Sequence, residues 1–308
     1  MPPVTELFHR HPANPLLTAA DIPVHAASAF NPAATDFDGE ILLLVRVEDG
    51  RGISALWVAR SGDGVTDWRV DARPLLFPVE PYEEWGCEDG RITYVPELGE
   101  WVIAYTAYSY LGPAVALART RDFRSVERLG IVLSPDNKDA ALFPHRIDGQ
   151  WLLLHRPVAG GTGHMWLASS PDLLHWGRSN VLLRARGEVW WDGARIGGGA
   201  QPLETPDGWL LLYHGVKQMV SGPVYRVGLA LLDRDDPWRA VARTDGWVFA
   251  PETPYERAGD VPNVVFPCGA VLRDGEVWMY YGAADSSVCL ATARLDELIA
   301  AVKRPSPV

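Results

Sequence analysis

Short apolar runs follow tight turns at five places along the chain. The runs are DGEILLLVR from Asp38, LGEWVIAYTAY from Leu98, DGQWLLLHRP from Asp148, DGWLLLYHG from Asp207 and DGEVWMYYG from Asp274. Four of the five turns are Asp-Gly, the strongest short-range signal for a β-hairpin. The turn glycines are Gly39, Gly99, Gly149, Gly208 and Gly275, at intervals of 60, 50, 59 and 67 residues. The pattern therefore predicts one hairpin repeated along the whole chain.

Two further elements follow each of these runs in a constant order. The second strands are ALWVARS from Ala55, AVALART from Ala114, HMWLASS from His164, VGLALLD from Val227 and VCLATAR from Val288. The third elements are RPLLFP from Arg73, GIVLSP from Gly130, NVLLRA from Asn180 and GWVFAP from Gly246. The fifth unit lacks a third element after Arg294, but a similar segment, NPLLTA, starts at Asn14.

Together with the strand before each turn, every unit has four strands, which is the size of a β-propeller blade. The sequence predicts an all-β fold, a five-bladed β-propeller that forms a single domain over residues 1–308. The segment at Asn14 is expected to complete the last blade and close the ring, which removes two free sheet edges. Residues Leu295 to Lys303 are predicted to form a short helix. The alternative is a β-sandwich, or two unrelated β domains, but the repeated order of three elements favours the propeller.

Composition and charge limit the partners. The chain has 28 Lys+Arg and 39 Asp+Glu, a net charge of −11, which disfavours nucleic acid and anionic membranes as partners. The longest apolar stretches are strand-length, and the first ten residues lack the apolar core of a signal peptide. Cys87, Cys268 and Cys289 are odd in number and have no CxxC spacing, so neither a disulfide framework nor a cysteine metal site is expected. A cytoplasmic location is the prediction.

In a propeller, the starts of the first strands and the ends of the second strands meet at one face. The predicted starts carry Asn31, Glu88, Asp89, Lys138, Asp139, Arg195 and Asn263. The predicted ends carry Arg46, Tyr105, Tyr108, Arg156, His214 and Asp285. Carboxylates and amides can hydrogen-bond sugar hydroxyls, and aromatic rings can stack on a sugar face. We therefore expect a carbohydrate site at this face.

Two kinds of chemistry are combined in this set. A carboxylic acid such as Asp89 or Asp285 can protonate the leaving oxygen of a glycosidic bond. Arg46, Lys138 and Arg156 are cationic donors of the type that holds phosphate, and His214 can join them. Structural roles stay open at this point. Asp89 could pair with Arg91, Lys138 and Asp139 could form an exposed pair, Arg156 could cap a sheet, and His214 could be a core histidine.

Seven segments resemble glycoside hydrolase family 130, which contains β-mannoside phosphorylases and a smaller set of β-mannosidases. They are FNPAAT from Phe30, LLVRVEDG from Leu43, WGCEDGRITYV from Trp85, NKDAALFPHRIDGQWLLLHRP from Asn137, GWLLLYHGV from Gly208, DVPNVVFPCGAV from Asp260 and MYYGAADSSVCLATA from Met279. The resemblance implies a five-bladed propeller and an inverting reaction. Inorganic phosphate, the co-substrate, attacks the anomeric carbon of a terminal β-mannosyl residue, and α-mannose 1-phosphate and a shortened acceptor are released. The resemblance implies no metal and no organic cofactor.

The resemblance also implies roles for individual residues. Asp89 matches the general acid, which is thought to relay its proton through a mannose hydroxyl. Asn31, Arg46 and Asp285 match positions that contact the cleaved mannose. Lys138, Arg156 and His214, with Tyr213 less directly, match phosphate-holding positions. The predicted sugar-binding set is Asn31, Arg46, Glu88, Tyr105, Asp139 and Asp285. One departure is Gly90, where the family commonly has proline, a change that could loosen the backbone next to the acid.

A phosphate dianion needs no general base, so one carboxylate suffices for phosphorolysis, whereas an inverting hydrolase needs a second one. A β-mannosidase that uses Asp89 with Glu188, Asp192 or Asp285 is the enzyme alternative. A sugar-binding propeller without activity is the other alternative. The retained basic residues favour the phosphorylase. Linkage and acceptor would be set by loops such as residues 79–85, 188–194 and 217–223, and a homo-oligomer stays open because the family is often oligomeric.

Overall fold

The computed structural model describes residues 6–159, 162–187 and 189–304, and most of its regular structure is β-strand. Two short strands come first, β1 (His9–Arg10) and β2 (Leu17–Thr18). Antiparallel groups of strands then follow one another along the chain as units 1 to 5, with four main strands in each of units 1 to 4 and three in unit 5. Unit 1 contains β3 (Ser28–Phe37), β4 (Glu40–Glu48), β5 (Ser54–Ser61) and β6 (Arg69–Val70). Unit 2 contains β7 (Gly86–Val95), β8 (Glu100–Ser109), β9 (Gly112–Thr120) and β10 (Glu127–Leu133).

The later units repeat this plan with small additions. Unit 3 contains β11 (Asn137–Leu142), β12 (Trp151–Ala159), β14 (Met165–Ser170) and β15 (Gly177–Leu183), with the short β13 (Thr162–Gly163) beside β12. Unit 4 contains β16 (Arg195–Gly198), β18 (Gly208–Met219), β19 (Gly222–Leu232) and β20 (Ala240–Arg243), with the short β17 (Leu203–Thr205) beside β18. Unit 5 contains β21 (Val265–Arg273), β22 (Glu276–Ala283) and β23 (Ser287–Arg294). The helices are α1 (Pro254–Arg257) and α2 (Leu295–Val302), and 3₁₀ turns cover Ala19–Asp21 and Pro81–Glu83.

The predicted Asp-Gly turns at Asp38, Asp148 and Asp274 are confirmed. In unit 4, Gly208 already pairs with Thr205, so the turn there is formed by Pro206 and Asp207. Asp38 and Gly39 both have positive φ, 51° and 81°, and the flanking residues Phe37 and Glu40 pair across the turn. Asp274 and Gly275 repeat this geometry in unit 5, with φ of 49° and 80°. Two successive residues of positive φ define the type I′ turn, which glycine and aspartate adopt more easily than most residues.

The N-terminal segment pairs with the last strand of the chain, as predicted. Leu17 of β2 pairs with Val288, and His9 of β1 pairs with Thr292, so both short strands extend unit 5 along β23. The predicted C-terminal helix is also confirmed as α2.

The predicted outer strands of units 1 and 4 were wrong. The strands there are β6 and β20, which precede the segments RPLLFP and GWVFAP. Those two segments form isolated bridges, Leu56 with Leu76 and Val227 with Phe249. RPLLFP holds two prolines and GWVFAP ends in one, and a proline cannot donate to a sheet ladder.

The hydrophobic core is divided among the contacts between units. Leu42 and Leu44 of β4 pack with unit 2, whereas Leu43 and Val45 of the same strand pack with unit 5. Further clusters lie between units 2 and 3, units 3 and 4, and units 4 and 5. Because both faces of these strands are buried, they are continuously apolar rather than alternating.

Candidate active site

Polar side chains are placed by one irregularity that recurs in the first strands of units 1, 2 and 3. The register with the second strand shifts at Asn31, at Asp89 and at Asp139, so each strand carries a β-bulge there. All three residues have positive φ, 46°, 47° and 57° respectively. Bulges re-aim side chains, and backbone strain of this kind is concentrated at functional sites.

The bulged residues line one cavity of about 160 Å³. The cavity is lined by Asn31, Arg46, Asp89, Lys138, Asp139, Arg156, His214, Tyr225, Val261, Val264, Phe266 and Asp285. Eight of the eleven side chains predicted for the site are in this lining. The other three, Glu88, Tyr105 and Tyr213, lie outside it.

Arg46 organises the carboxylates at one side of the cavity. Its guanidinium donates to Asp89 Oδ1 at 3.2 Å, to Glu88 Oε1 at 3.1 Å and to Glu48 Oε2 at 3.2 Å. Burial disfavours an ionised Asp89, but Arg46, Arg91 and Lys138 outweigh it and hold the pKa of Asp89 below its ordinary value. In contrast, burial raises the pKa of Glu88. Glu88 does not line the cavity, and its role is to accept a hydrogen bond from Arg46.

Asp285 has the opposite electrostatic environment. Burial, followed by the nearby charge of Asp89, raises the pKa of Asp285 to about 7. The pKa values of Asp89 and Asp285, two of the three carboxyl groups in the lining, are therefore shifted in opposite directions, which is common where an acid and an anion act together.

The cationic side of the cavity is built around Asp139. Its Oδ2 accepts a hydrogen bond of 2.6 Å from Arg156 Nε, and His214 Nε2 lies 3.4 Å from the same oxygen. Asp139 is predicted to bind sugar, but the structure places it as the partner that orients Arg156. Burial lowers the pKa of His214 to about 3, and both ring nitrogens lack a hydrogen-bond partner within the described ranges. Lys138 completes this side of the lining.

The prediction that Tyr105 and Tyr213 face the ligand was wrong. Tyr105 is buried and donates 2.6 Å to the fully buried Glu83, which also binds Arg128 at 2.9 Å. Tyr213 donates 2.9 Å to the fully buried Asp192, which also binds Arg243 at 2.6 Å.

The same arrangement recurs in unit 5, where Tyr281 donates 2.8 Å to Glu256 and Arg10 donates 2.9 Å to the same carboxylate. We call these three sets Tyr–carboxylate–Arg clamps. Each joins a second strand, the segment before a first strand and an outer strand. The tyrosines are therefore parts of the scaffold that holds the loops next to the cavity.

Strand alternation explains the error. Arg46 and Arg156 both lie seven residues after their turn glycines, Gly39 and Gly149. The equivalent residue of unit 2 is Thr106, so Tyr105 has the opposite direction and joins the core cluster between units 1 and 2. Successive side chains of a strand point to opposite faces, so counting from Gly99 gives the direction of Tyr105. In unit 4, Gly208 pairs with Thr205 as Glu40 pairs with Phe37, so the count moves by one residue: His214 is equivalent to Arg46, and Tyr213 has the opposite direction.

Sequence reasoning missed several residues of the site. Tyr225 and Phe266 form an apolar wall beside His214, with ring centres 5.9 and 4.5 Å from it. Arg195, which is predicted for this face, donates 2.5 Å to the Tyr225 hydroxyl oxygen. Tyr225 lies in the third strand of unit 4, whereas the predicted ligand face contains only first and second strands. A further missed feature is Gly197, where a side chain would collide with Asp139 and His214.

Three further residues from the sequence analysis are Gly90, Asp192 and Glu188. Gly90 lies inside the buried strand β7, and leucine methyl groups of Leu44 and Leu56 occupy the space beside it. Asp192 is held in its clamp and is not in the cavity lining. Glu188 lies outside the described residues.

Two of the three predicted acceptor loops have regular structure. Residues 79–85 contain the 3₁₀ turn fixed by Glu83, and residues 217–223 are the tip of the β18–β19 hairpin. The third, 188–194, is described from residue 189 onward, and its Ala194 N donates to Val216 O of that hairpin at 3.0 Å. Among the described residues, no group of three or more histidine, cysteine or acidic side chains could hold a metal ion, and no helix is long and apolar enough to cross a membrane. Cys87, Cys268 and Cys289 are buried and free.

A small cavity with an acid, amide and guanidinium donors and a cluster of cations is typical of enzymes that act on carbohydrates. The chain belongs to glycoside hydrolase family 130, because residues 7–304 match that family, which is described as β-1,4-mannooligosaccharide phosphorylase.

The chain is 33% identical to a β-1,2-mannobiose phosphorylase of Listeria innocua over 95% of this chain and 97% of that protein. It is 31% identical to a β-1,4-mannooligosaccharide phosphorylase of Ruminococcus albus over 98% of this chain and 93% of that protein. The solved structure of β-1,2-mannobiose phosphorylase from Listeria innocua with β-1,2-mannobiose superposes with a TM-score of 0.90, at 31% identity, covering 96% of this chain and 99% of that one.

Proposed function

We propose that this protein is an inverting β-mannoside phosphorylase. Phosphate attacks the anomeric carbon of a terminal β-mannosyl residue, the bond to the leaving oxygen breaks, and that oxygen gains a proton. The products are α-mannose 1-phosphate and a shortened acceptor. Asp89 is the general acid, through a hydroxyl of the bound mannose, and Asn31, Arg46 and Asp285 bind the sugar.

One observation carries this proposal: a single cavity contains both the buried acid Asp89 and the cationic group of Lys138 and Arg156. An inverting hydrolase has no need of an anion site, since its nucleophile is water. A phosphate nucleophile needs positioning and charge compensation, which two cations supply. His214 adds ring nitrogens that lack a partner among the described residues and can bond phosphate oxygens.

The acid has to gain its proton when the substrates bind. In the free protein, Arg46, Arg91 and Lys138 favour ionised Asp89. A phosphate dianion held by Lys138 and Arg156 offsets part of this positive charge. Because nearby negative charge favours the protonated form of a carboxylic acid, the pKa of Asp89 rises when phosphate binds. Phosphate binding therefore favours proton uptake by Asp89, which couples the nucleophile to the acid.

The scaffold in this proposal is a single domain, with units 1 to 5 as the blades of a five-bladed β-propeller. Its support is the order of the core clusters, since one of them packs unit 5 against unit 1. The first strands β21, β3, β7 and β11 also contact one another in that order. The N-terminal strands β1 and β2 then complete the last blade. A cytoplasmic location accords with a supply of phosphate and three free cysteines.

The test is to incubate the protein with β-1,2- and β-1,4-mannobiose, with and without inorganic phosphate, and to quantify mannose 1-phosphate and free mannose separately. We expect phosphate-dependent mannose 1-phosphate, and the two disaccharides rank the linkages. Free mannose formed without phosphate would show a hydrolase instead. Binding of mannobiose with neither product would show a sugar-binding protein without activity.

A further inference from the structure

Arg91 occupies the centre of the site although it does not line the cavity. Its side chain is 1% exposed. The guanidinium donates 2.8 Å to the carbonyl oxygen of Asp89, 2.9 Å to that of Gly198 and 3.1 Å to that of Gly199. One side chain of unit 2 thus binds the acid's own backbone and the first strand of unit 4.

The hydrogen bond from Arg91 to the carbonyl oxygen of Asp89 has a local cause in strand β7. Between the pairs Glu88–Thr106 and Arg91–Ala104, two residues of β7 stand against one of β8. An extra residue in a bulge is left outside the ladder. Asp89 is one of the two residues in this bulge, and its φ is 47°. Its carbonyl group is held by Arg91 Nη1, so the guanidinium fixes a strained residue in place.

Arg91 is also connected to the cationic side of the cavity. Its Nη2 lies 3.5 Å from Oδ1 of Asp139, and the other oxygen of Asp139 accepts 2.6 Å from Arg156. Asp139 is itself 1% exposed and at the bulge of β11. The sequence of contacts from Asp89 to Arg156 therefore passes through two fully buried charged groups.

The third backbone acceptor of Arg91, the carbonyl oxygen of Gly199, belongs to a tightly packed part of the chain. A side chain at Gly199 would lie 2.6 Å from the carbonyl oxygens of Leu212 and Pro267, so the chain passes there in close contact with units 4 and 5. The guanidinium carbon of Arg91 also lies 5.4 Å from the ring centre of Phe266. Arg91 is held by contacts to units 3, 4 and 5 at once.

We propose that Arg91 is a positioning residue that fixes the acid Asp89 relative to the phosphate-binding Arg156, an inference that rests on the proposed phosphorylase function. The acid and the nucleophile act on the two bonds of one anomeric carbon, so their separation has to be set. A misplacement of about 1 Å can cost on the order of 100-fold in rate. Arginine suits this role because its planar fork binds several acceptors in fixed directions and stays charged.

The test compares Arg91→Met, Arg91→Lys and Asp139→Asn with the wild type. We measure kcat and KM for phosphorolysis at saturating phosphate, and phosphate binding by calorimetry, which requires no turnover. We expect Arg91→Met and Arg91→Lys to lower kcat by about 100-fold, with a smaller change in KM for the mannoside. Phosphate binding should weaken about tenfold in these variants and in Asp139→Asn. Lysine keeps the charge but cannot bind three carbonyl groups in a plane.

The control is Arg60→Met, which removes a partly buried arginine that pairs with Asp71 outside the cavity lining. It should lose stability, measured by urea unfolding, without loss of kcat or phosphate affinity. The proposal would be overturned if Arg91→Lys kept wild-type kcat and phosphate affinity. It would also be overturned if a smaller fraction of folded protein fully accounted for the losses of kcat and phosphate affinity in the variants. If Arg91→Met does not fold, Arg91→Lys and Asp139→Asn decide. A wild type that binds phosphate but forms no mannose 1-phosphate would overturn the phosphorylase function, and phosphate binding by the variants would still test Arg91.

Discussion

The side-chain amide of Asn31 donates a hydrogen bond of 2.8 Å to Oδ1 of Asp89, across the contact between units 1 and 2. Arg46 donates to the same oxygen at 3.2 Å. Because both donors use Oδ1, we expect Oδ2 to be the oxygen that carries the proton to the substrate.

Replacing the acid should stop turnover and leave the fold intact. Asp89→Asn keeps the size of the side chain and removes the acidic proton, so we expect kcat to fall by about 100- to 10,000-fold. Circular dichroism checks the fold, and mannose 1-phosphate release measures kcat. Asp63→Asn, in an exposed turn, is the control that keeps wild-type turnover. Full activity of Asp89→Asn would show that the acid is another residue.

Lys138 should affect phosphate more than sugar. Lys138→Ala removes one cation from the cavity lining, and a hydrogen bond to a charged group contributes about 1.5–3 kcal/mol. We expect KM for phosphate to rise about 10- to 100-fold, with little change in KM for the mannoside. Steady-state rates at varied phosphate measure this. Lys303→Ala, whose lysine pairs with Asp207 on the surface, is the control. An unchanged phosphate dependence would move the anion site elsewhere.

Gly197 should be intolerant of a side chain. In Gly197→Ala the new methyl group would collide with Asp139 Oδ2 and the His214 ring, so Arg156 loses its orientation. We expect phosphate affinity to fall at least about tenfold, since one charged hydrogen bond is displaced. Gly177→Ala is a matched control, because the space beside Gly177 is open. Calorimetric titration with phosphate distinguishes the two, and equal affinities would mean that the site adapts to the methyl group.

Tyr213→Phe should destabilise the protein without changing phosphate recognition. The tyrosine hydroxyl donates to the fully buried Asp192, and a buried acceptor that loses a donor costs about 1–3 kcal/mol. We expect the free energy of unfolding to fall by that amount and KM for phosphate to stay unchanged. A rise in that KM would restore Tyr213 as a phosphate ligand.

Asp285 should make stability depend on pH. Because its pKa in the folded protein is about 7 and that of an unfolded aspartate is about 4, the folded state holds a proton that the unfolded chain loses between these values. Stability from this group is complete below about pH 4 and is lost as the pH rises through about 7.

The variant Asp285→Asn lacks this titration. Its free energy of unfolding should therefore rise relative to the wild type from about pH 4 to about pH 7 and then level off, by up to about 4 kcal/mol. Urea unfolding at a series of pH values measures the difference. Parallel profiles of the two proteins would contradict the raised pKa.

Local sequence patterns were enough for most of the strands. An Asp-Gly pair with positive φ at both residues forms its turn from short-range interactions, as at Asp38 and Asp274. The outer strands β6 and β20 were harder to predict, because an edge strand has one neighbour and a weak apolar pattern.

The sequence by itself also determined which polar side chains approach one another, since Arg46 and Arg156 hold equivalent positions in a repeat. The direction of Tyr105 also follows from strand alternation, whereas that of Tyr213 depends on a turn that lies one residue before the one predicted from Asp207-Gly208. Only the tertiary structure decided the partners of Arg91, which come from three other units, and the raised pKa of Asp285. Both depend on burial and on charges brought together from distant parts of the chain, and neither has a local pattern in the sequence.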